Sequence, residues 1–374
     1  MKVLISGGGT GGHIFPAVSI ANALRAIDPS CDILFVGALG RMEMERVPQA
    51  GYPIIGLPVR GIDRRKIWRN VGVAIDFIRS MRQVRKIIRE FRPDVGVGVG
   101  GYASGAAMKV AARMGVPILL QEQNGFAGVT NKMLKNDAAK ICVAYEGMEK
   151  FFPAEKLILT GNPVRQNLKE GNKKDAIKYF NETFGVNFTT ERKTLLIIGG
   201  SLGARTINDS MKANLQALID SGVQIIWQTG KYYFEECKQA LNSQLSTLNT
   251  QHSTIICTDF ISQMPQAYAL ANVVISRAGA SSISELCLLG KASVLVPSPN
   301  VAEDHQTHNA MALVRRDAAI LVKDIDALSD MVPTALDLIG NDDRIAMLEQ
   351  NILTLALPDS ANLIAQEVIK LAKK

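Results

Sequence analysis

Paired cysteines, long apolar runs and a phosphate-loop lysine are all missing from this chain, and each absence closes a class of function. The five cysteines (Cys31, Cys142, Cys237, Cys257, Cys287) have no paired spacing and sit in strand-like or helical apolar contexts. That pattern fits free thiols in a reducing compartment and argues against a disulfide frame or a zinc site. No apolar run reaches the ~20 residues of a spanning helix, so any membrane contact is expected to be peripheral. No Gly-Lys-Ser/Thr loop occurs, which removes the phosphate-loop hydrolases. The start, Met1-Lys2-Val3-Leu4-Ile5-Ser6-Gly7, reads as a buried strand entering a turn, not as a signal peptide.

Charge is present but unevenly placed. Residues 1–165 hold 23 Lys/Arg against 13 Asp/Glu, whereas the whole chain nets only +7. The basic excess therefore lies in the first half, and 11 basic residues fall between Arg60 and Arg92. Such a patch can attract nucleic acid, anionic lipid or a phosphorylated ligand. The 374 residues suit two domains of roughly 150–200 residues each.

Three glycine-rich turns follow apolar strands: Ser6–His13, Val99–Gly105 and Ile198–Arg205. Glycine lets backbone approach an anion, and a following helix offers unpaired N–H groups and a positive dipole end. The first and third turns open the two halves of the chain, which suggests two nucleotide-type half-sites. Alternating apolar runs and helical stretches predict two doubly wound α/β domains, with a hinge at Gly161–Arg165 and a polar insert from Glu170 to Arg192. The first long helix is expected to begin near Pro16. An amphipathic helix after Pro358 could return to the first domain.

Gly7-x-Gly9-x-x-Gly12 has dinucleotide spacing, but that fingerprint also wants an acid at the end of the second strand. Phe35-Val36-Gly37-Ala38 supplies none. His13, at the following helix start, is either a base or an orienting residue; a dipole-positive position suits a neutral imidazole. Gln121-Glu122-Gln123-Asn124 ends a buried strand where such sheets bind ligands. In Arg277–Glu285 a small-residue turn enters a helix, and its N–H groups can hold a phosphate while Glu285 can accept from a ribose diol. Glu303–Asn309 crowds donors and acceptors as sugar hydroxyls require. His305 and His308 lack a third metal ligand. Asp324-Ile325-Asp326 has the form of a short metal motif but reads as a helix cap. No metal and no organic cofactor is expected.

On a helix over about 70–91, Phe77, Met81, Val84, Ile88 and Phe91 form one core stripe. Val71, Ile75 and Ile78 project to the other side, among Arg79, Arg82, Lys86 and Arg89, with Ile67 and Trp68 just before. Apolar groups ringed by arginine favour an anionic membrane surface; a partner protein is the alternative.

Taken in order, these motifs resemble the MurG family of N-acetylglucosaminyltransferases, which build the lipid-linked peptidoglycan precursor. The resemblance spans the chain: Gly8–His13, Gly100–Gly105, Glu122–Asn124, Asn162–Arg165, Gly199–Ala204 and Asp304–Ala310. One departure is Gln121, where many members carry His. The resemblance implies a GT-B glycosyltransferase fold, two doubly wound Rossmann-like domains facing across a cleft. Residues 1–163 would form an acceptor- and membrane-binding domain, joined by 358–374, and 164–357 would bind the UDP-sugar. It implies Ile261 backbone for uracil, Glu285 for ribose, and Ser201 with Ala280, Ser281, Ser282, Ile283 and Ser284 for the diphosphate. Asn124, His305 and Gln306 would lie near the sugar, with Thr10, Gly11, Gly12 and Arg165 completing the donor site. His13 is the first candidate base and Glu122 the second. Gly12, His13, Gly101, Tyr102 and Ser104 would face the acceptor pyrophosphate. Trp68, Val71, Ile75, Ile78, Arg79 and Arg82 would meet the membrane. The implied partners are UDP-N-acetylglucosamine, lipid I, an anionic membrane surface on the cytoplasmic side of the inner membrane and other cell-wall synthesis proteins, with no nucleic acid. A UDP-N-acetylglucosamine epimerase and a non-enzymatic sugar-nucleotide sensor are the competing readings.

Overall fold

A computed structural model gives the fold, described for all residues except Thr10, 60–69, Arg165, Ser201, 248–253, 302–303 and Lys374. The side chains of Asn70, Val71, Val73, Ala74, Gln166 and Thr247 also lie outside the description. Of the expected site residues, this leaves Thr10, Arg165, Ser201, Trp68 and the side chain of Val71 outside the described residues.

The chain divides into two compact units, Met1–Arg165 with Leu357–Lys374, and Gln166–Ala356. The first contains β1 (Lys2–Ser6), α1 (Gly11–Ile27), β2 (Asp32–Ala38), α2 (Glu43–Gln49), β3 (Ile54–Leu57), α3 (Asn70–Phe91), β4 (Val95–Gly98), α4 (Tyr102–Arg113), β5 (Ile118–Glu122), α5 (Val129–Leu134), β6 (Lys140–Val143) and β7 (Leu157–Leu159). The second contains α6 (Lys173–Phe184), β8 (Thr194–Ile198), α7 (Arg205–Ala213), α8 (Leu215–Asp220), β9 (Gln224–Gln228), α9 (Phe234–Thr247), β10 (Ile255–Thr258), α10 (Met264–Leu270), β11 (Val273–Ser276), α11 (Ala280–Leu289), β12 (Ala292–Leu295), α12 (His305–Val314), β13 (Ile320–Leu321), α13 (Ala327–Gly340) and α14 (Asp342–Leu353). The last helix, α15 (Ser360–Ala372), returns to the first unit.

Each unit is wound on one parallel sheet, in the orders β3-β2-β1-β4-β5-β6-β7 and β10-β9-β8-β11-β12-β13. The central strands are buried on both faces, as Val/Ile/Leu-rich runs between two helix layers should be. Ser6 pairs with both Val36 and Gly98, so β1 and β4 end level and release their glycine turns side by side. β8 and β11 do the same, with Ile198 opposite Ser276. These are the topological switch points, where doubly wound sheets open a crevice at the strands' carboxyl ends.

Several local expectations need correction. α1 begins at Gly11, so Pro16 lies inside it rather than at its start. The missing Pro16 N–H costs one bond, to the carbonyl of Gly12 in the first turn. The stretch read as a polar insert contains α6, whose Ala176 and Phe180 are wholly buried in the second unit's core. In α3, Val84, Ile87 and Ile88 enter the core while Met81 and Phe91 pack partly against it. Phe77, expected there, is 36% exposed: at that level the buried positions of α3 are Asp76 and Ser80, so the packed face runs one residue to the side of Phe77. α15 buries Ile364, Ala365 and Val368 in the same core as Ile20 and Leu24 of α1. All five cysteines are free, and burial pushes the Cys142 and Cys287 thiols up to about 12, which makes them unreactive.

Candidate active site

At the first unit's switch point the two glycine turns meet backbone to backbone. A Cβ on Gly101 would lie 2.5 Å from the Gly8 carbonyl oxygen, and Gly101 has φ +90°. Both demands require glycine. A Cβ on Gly100 would strike the His13 ring at 2.8 Å, so that glycine provides the ring's seat. His13 Nδ1 lies 3.1 Å from the Gly8 carbonyl. A carbonyl only accepts, so Nδ1 carries the proton and, in the neutral ring, Nε2 is the basic nitrogen. Gly12 is exposed beside it.

α4 starts at Tyr102 with no side chain capping its N-terminus. Its first-turn N–H groups and positive dipole end are thus at the site. Tyr102 is half exposed, but Ser104 is wholly buried, its hydroxyl beside Gly98 without a hydrogen-bond partner. Any contact of Ser104 with a ligand therefore falls to its backbone.

At the end of β5 the polar run is bonded inward. Gln121 Nε2 donates to Asn162 Oδ1 at 3.0 Å, Asn162 Nδ2 to the Gln123 carbonyl at 2.9 Å, and Gln123 Nε2 to the Val99 carbonyl at 2.8 Å. Gln123 also donates to Gln121 Oε1. Glu122 accepts from the N–H groups of Asn124 (3.1 Å) and Gly128 (2.9 Å) and from Asn131 Nδ2 (2.9 Å). Burial raises its pKa, and these bonds oppose the rise. Its oxygens hold the loop from Asn124 to Gly128, a different task from collecting a substrate proton. Asn124 stands on that loop, partly exposed.

In the second unit, α7 and α11 also begin without side-chain caps. Gln228 braces the neighbourhood: its Nε2 donates to the Gly200 carbonyl (3.1 Å), and its Oε1 accepts from the Ile261 N–H (2.9 Å). The amide of Ile261 is thus engaged, so a uracil would meet its carbonyl. Glu285 is nearly buried on α11 and accepts from the Tyr268 hydroxyl at 2.9 Å. Ala280 and Ile283 are buried, Ser281 and Ser282 are half-buried, and the Ser284 hydroxyl turns back to the Ala280 carbonyl at 2.9 Å. Gln306 Oε1 accepts from the Ser298 N–H at 2.9 Å, and Asn309 Nδ2 donates to the Ala278 carbonyl at 3.3 Å. The first turn of α12, with half-buried His305, is thereby tied to the turn after β12, and its second turn to the turn after β11.

Of the motif read as a helix cap, Asp326 stands at the N-cap position of α13 without a side-chain cap bond, and Asp324 has other partners. It pairs with Arg277 Nη1 and accepts from Thr206 Oγ1 at 3.1 Å, while Arg277 also donates to the carbonyls of Val296 and Pro297. This carboxylate joins the β11 turn to the first turn of α7. Among the described residues, no group of three or more His, Cys, Asp or Glu is placed to hold a metal.

Two residues stand where the sequence reading did not place them, Glu43 and Phe77. Glu43, wholly buried at the start of α2, accepts the N–H groups of Gly9 and Ala38, each at 3.0 Å. It is an acid near the end of β2 after all, displaced into the next helix and bonded to backbone. On α3, Ile75 and Ile78 are 47% and 52% exposed, and Phe77 joins them beside exposed Arg79 and Arg82. Among the described residues no helix is long and apolar enough to cross a membrane.

Residues 3–143 match the glycosyltransferase family 28 N-terminal domain, and residues 194–364 its C-terminal domain. A Bacteroides fragilis protein named UDP-N-acetylglucosamine–N-acetylmuramyl-(pentapeptide) pyrophosphoryl-undecaprenol N-acetylglucosamine transferase is 58% identical, covering 100% of this chain and 96% of its own. The crystal structure of Acinetobacter baumannii MurG superposes with a TM-score of 0.74 at 24% identity over 99% of both chains. A UDP-GlcNAc 2-epimerase from Neisseria meningitidis, bound to UDP-GlcNAc, reaches 0.66 at 13% identity, covering 99% of this chain and 100% of its own. The fold is therefore common to transferases and epimerases, and sequence identity separates them. With both domains matched and 58% identity held along its whole length, the chain belongs to glycosyltransferase family 28, among its N-acetylglucosamine transferases, and is a hexosyltransferase.

Proposed function

We propose that this enzyme moves N-acetylglucosamine from UDP-N-acetylglucosamine to the 4-hydroxyl of the muramyl sugar of undecaprenyl-pyrophosphoryl-MurNAc-pentapeptide (lipid I), forming lipid II with inversion. The observation that carries the proposal is full-length identity to transferases whose name specifies both substrates. In the second unit, the Ile261 carbonyl would take the uracil N3–H and Glu285 the ribose diol. Ser201 and the Ala280–Ser284 turn would receive the diphosphate. His305 and Gln306, with Asn124, Thr10, Gly11, Gly12 and Arg165, would complete the donor site around the sugar. In the first unit, Gly12, Gly101, Tyr102 and Ser104 would offer the acceptor pyrophosphate helix-terminal N–H groups.

Inversion needs one in-line displacement. His13 Nε2 takes the proton of the 4-hydroxyl as its oxygen forms a bond to the anomeric carbon. The bond from that carbon to the phosphate oxygen breaks, and UDP leaves with the electron pair. Helix N-termini and hydrogen-bond donors stabilise the charge it carries away. Glu122, already bonded to its own loop, is the second candidate for the proton.

The acceptor's polyprenyl chain confines it to the bilayer, so the first unit would dock on the cytoplasmic leaflet of the inner membrane. Ile75, Phe77 and Ile78 would insert shallowly beside Arg79 and Arg82, with Trp68 and Val71 extending the face. Peptidoglycan synthesis would link the enzyme to cell-wall biogenesis, cell shape and division, and to other proteins of that machinery. The test is transfer of radiolabel from UDP-N-acetylglucosamine with and without a lipid I analogue. Label entering lipid is the expected result; UDP-N-acetylmannosamine formed without acceptor would establish epimerisation instead.

A further inference from the structure

The peptide between Gly8 and Gly9 is bonded at both ends. Its N–H, on Gly9, donates to Glu43 Oε2 at 3.0 Å, and its carbonyl, on Gly8, accepts from His13 Nδ1 at 3.1 Å. Glu43 comes from α2, 34 residues after Gly9, and its other oxygen is fixed by the Ala38 N–H at 3.0 Å. The chain is cut to fit it: a Cβ on Gly8 would lie 2.2 Å from Glu43 Oε1, and one on Gly37 2.6 Å from Glu43 Cγ. A wholly buried carboxylate with both oxygens on backbone N–H groups is held in one geometry. An amide whose N–H meets an anion becomes a better acceptor at its oxygen, because bonds in a chain polarise one another.

We propose that Glu43 is a positioning residue for the transfer reaction: through the Gly8–Gly9 peptide it strengthens the carbonyl that holds His13 Nδ1–H, and so keeps Nε2 as the basic nitrogen. The arrangement parallels a carboxylate orienting a catalytic histidine, with one peptide group interposed. The Gly9 N–H is spent on this internal anion, so the first glycine turn aims a side chain instead of cradling a phosphate with that amide. The kinetic part of the proposal rests on His13 being the base; the structural part does not.

The test combines nitrogen NMR of the four histidines in the full-length protein, with His13 assigned by its loss in His13→Ala, and kinetics of Glu43→Gln. In the wild type, neutral His13 is expected as the Nδ1-protonated tautomer. Glu43→Gln keeps the side chain's size but sets an NH2 group against a backbone N–H; it should shift that ring toward the Nε2-protonated form. It should also lower kcat by about 10–100-fold, with KM for UDP-N-acetylglucosamine within about twofold. In a His13→Ala background the same change should have little further effect, since the two residues act as a unit. An equal fall in kcat with and without His13, or a tautomer unmoved by Glu43→Gln, overturns the proposal. The wild-type spectrum is decisive even if the variant fails to fold: an Nε2-protonated neutral ring ends the idea. If His13→Ala retains kcat, the base assignment falls, and the tautomer shift alone decides whether Glu43 governs the ring.

Discussion

The turn after β1 and the turn after β8 occupy equivalent places in two sheets of the same winding, yet they are braced from opposite sides. At the first, a buried carboxylate draws in a backbone N–H, and the carbonyl of the same peptide turns to His13. At the second, the side chain that reaches in is an amide, Gln228, and it donates to the Gly200 carbonyl. A carboxylate under a turn competes with any anionic ligand for that turn's N–H, whereas an amide donor on a carbonyl does not. In the function proposed above, similar glycine runs would serve proton transfer in one unit and nucleotide binding in the other. The residue that decides lies outside the motif in both.

The sharpest way to break this contrast is to remove His13. His13→Ala should lower kcat by roughly 10²–10⁴ and leave UDP-N-acetylglucosamine affinity near normal. Steady-state kinetics with a lipid I analogue, paired with donor calorimetry, checks both halves. A variant that keeps most of its kcat makes His13 a positioning residue and moves the test to Glu122.

The complementary change lies in the second unit. Glu285→Ala should weaken donor binding by about 1.5–3 kcal/mol, roughly 10–150-fold, through loss of a charge-assisted hydrogen bond. Tyr268→Phe sharpens the result. It leaves the carboxylate but removes the hydroxyl that orients it, so its effect should be smaller. Unchanged donor affinity in Glu285→Ala would show that this carboxylate does not hold the ribose.

The winding of both sheets was legible because buried parallel strands write continuous Val/Ile/Leu runs between helical stretches. The glycine turns were legible because close backbone approach, as at Gly101, admits no other residue. Glu43 was not, because an acid was sought inside β2; the actual one follows Ala38 by five positions and reaches back from α2. The two glycines that make room for it, Gly8 and Gly37, were the available signal. Asp324 was misread for a related reason: its short acidic motif stands before a helix, but its partners, Arg277 and Thr206, are distant in sequence. Phe77 shows the limit of apolar periodicity: the face of α3 that is buried at that level carries polar residues, Asp76 and Ser80, which a search for an apolar stripe passes over.

A third comparison sets the exposed face of α3 against its buried face. Ile75→Glu with Ile78→Glu replaces two exposed apolar groups with charges that an anionic surface repels. Vesicle binding and activity on full-length lipid I should fall about tenfold or more, at ~1 kcal/mol per charge near the surface. Activity on a short-chain soluble acceptor should persist. Vesicle binding that is indifferent both to the double change and to salt would put the membrane face elsewhere.

The smallest expected effects separate the two aspartates of the acidic motif. Asp324 and Arg277 are each about four-fifths or more buried at the side chain, and they link the β11 turn to α7. Losing one charge there leaves the other without its partner, so Asp324→Asn should cost on the order of 1–3 kcal/mol of stability. Asp326→Asn, at an exposed position, should stay within about 0.5 kcal/mol. A metal role predicts another order, with both changes abolishing turnover and leaving stability alike. The carboxylate committed to Arg277 argues for the ion-pair order, and for turnover that survives exhaustive EDTA. Thermal melts of the two variants beside an EDTA-treated wild-type assay decide it; metal-rescuable loss of activity would return Asp324 to the chemistry.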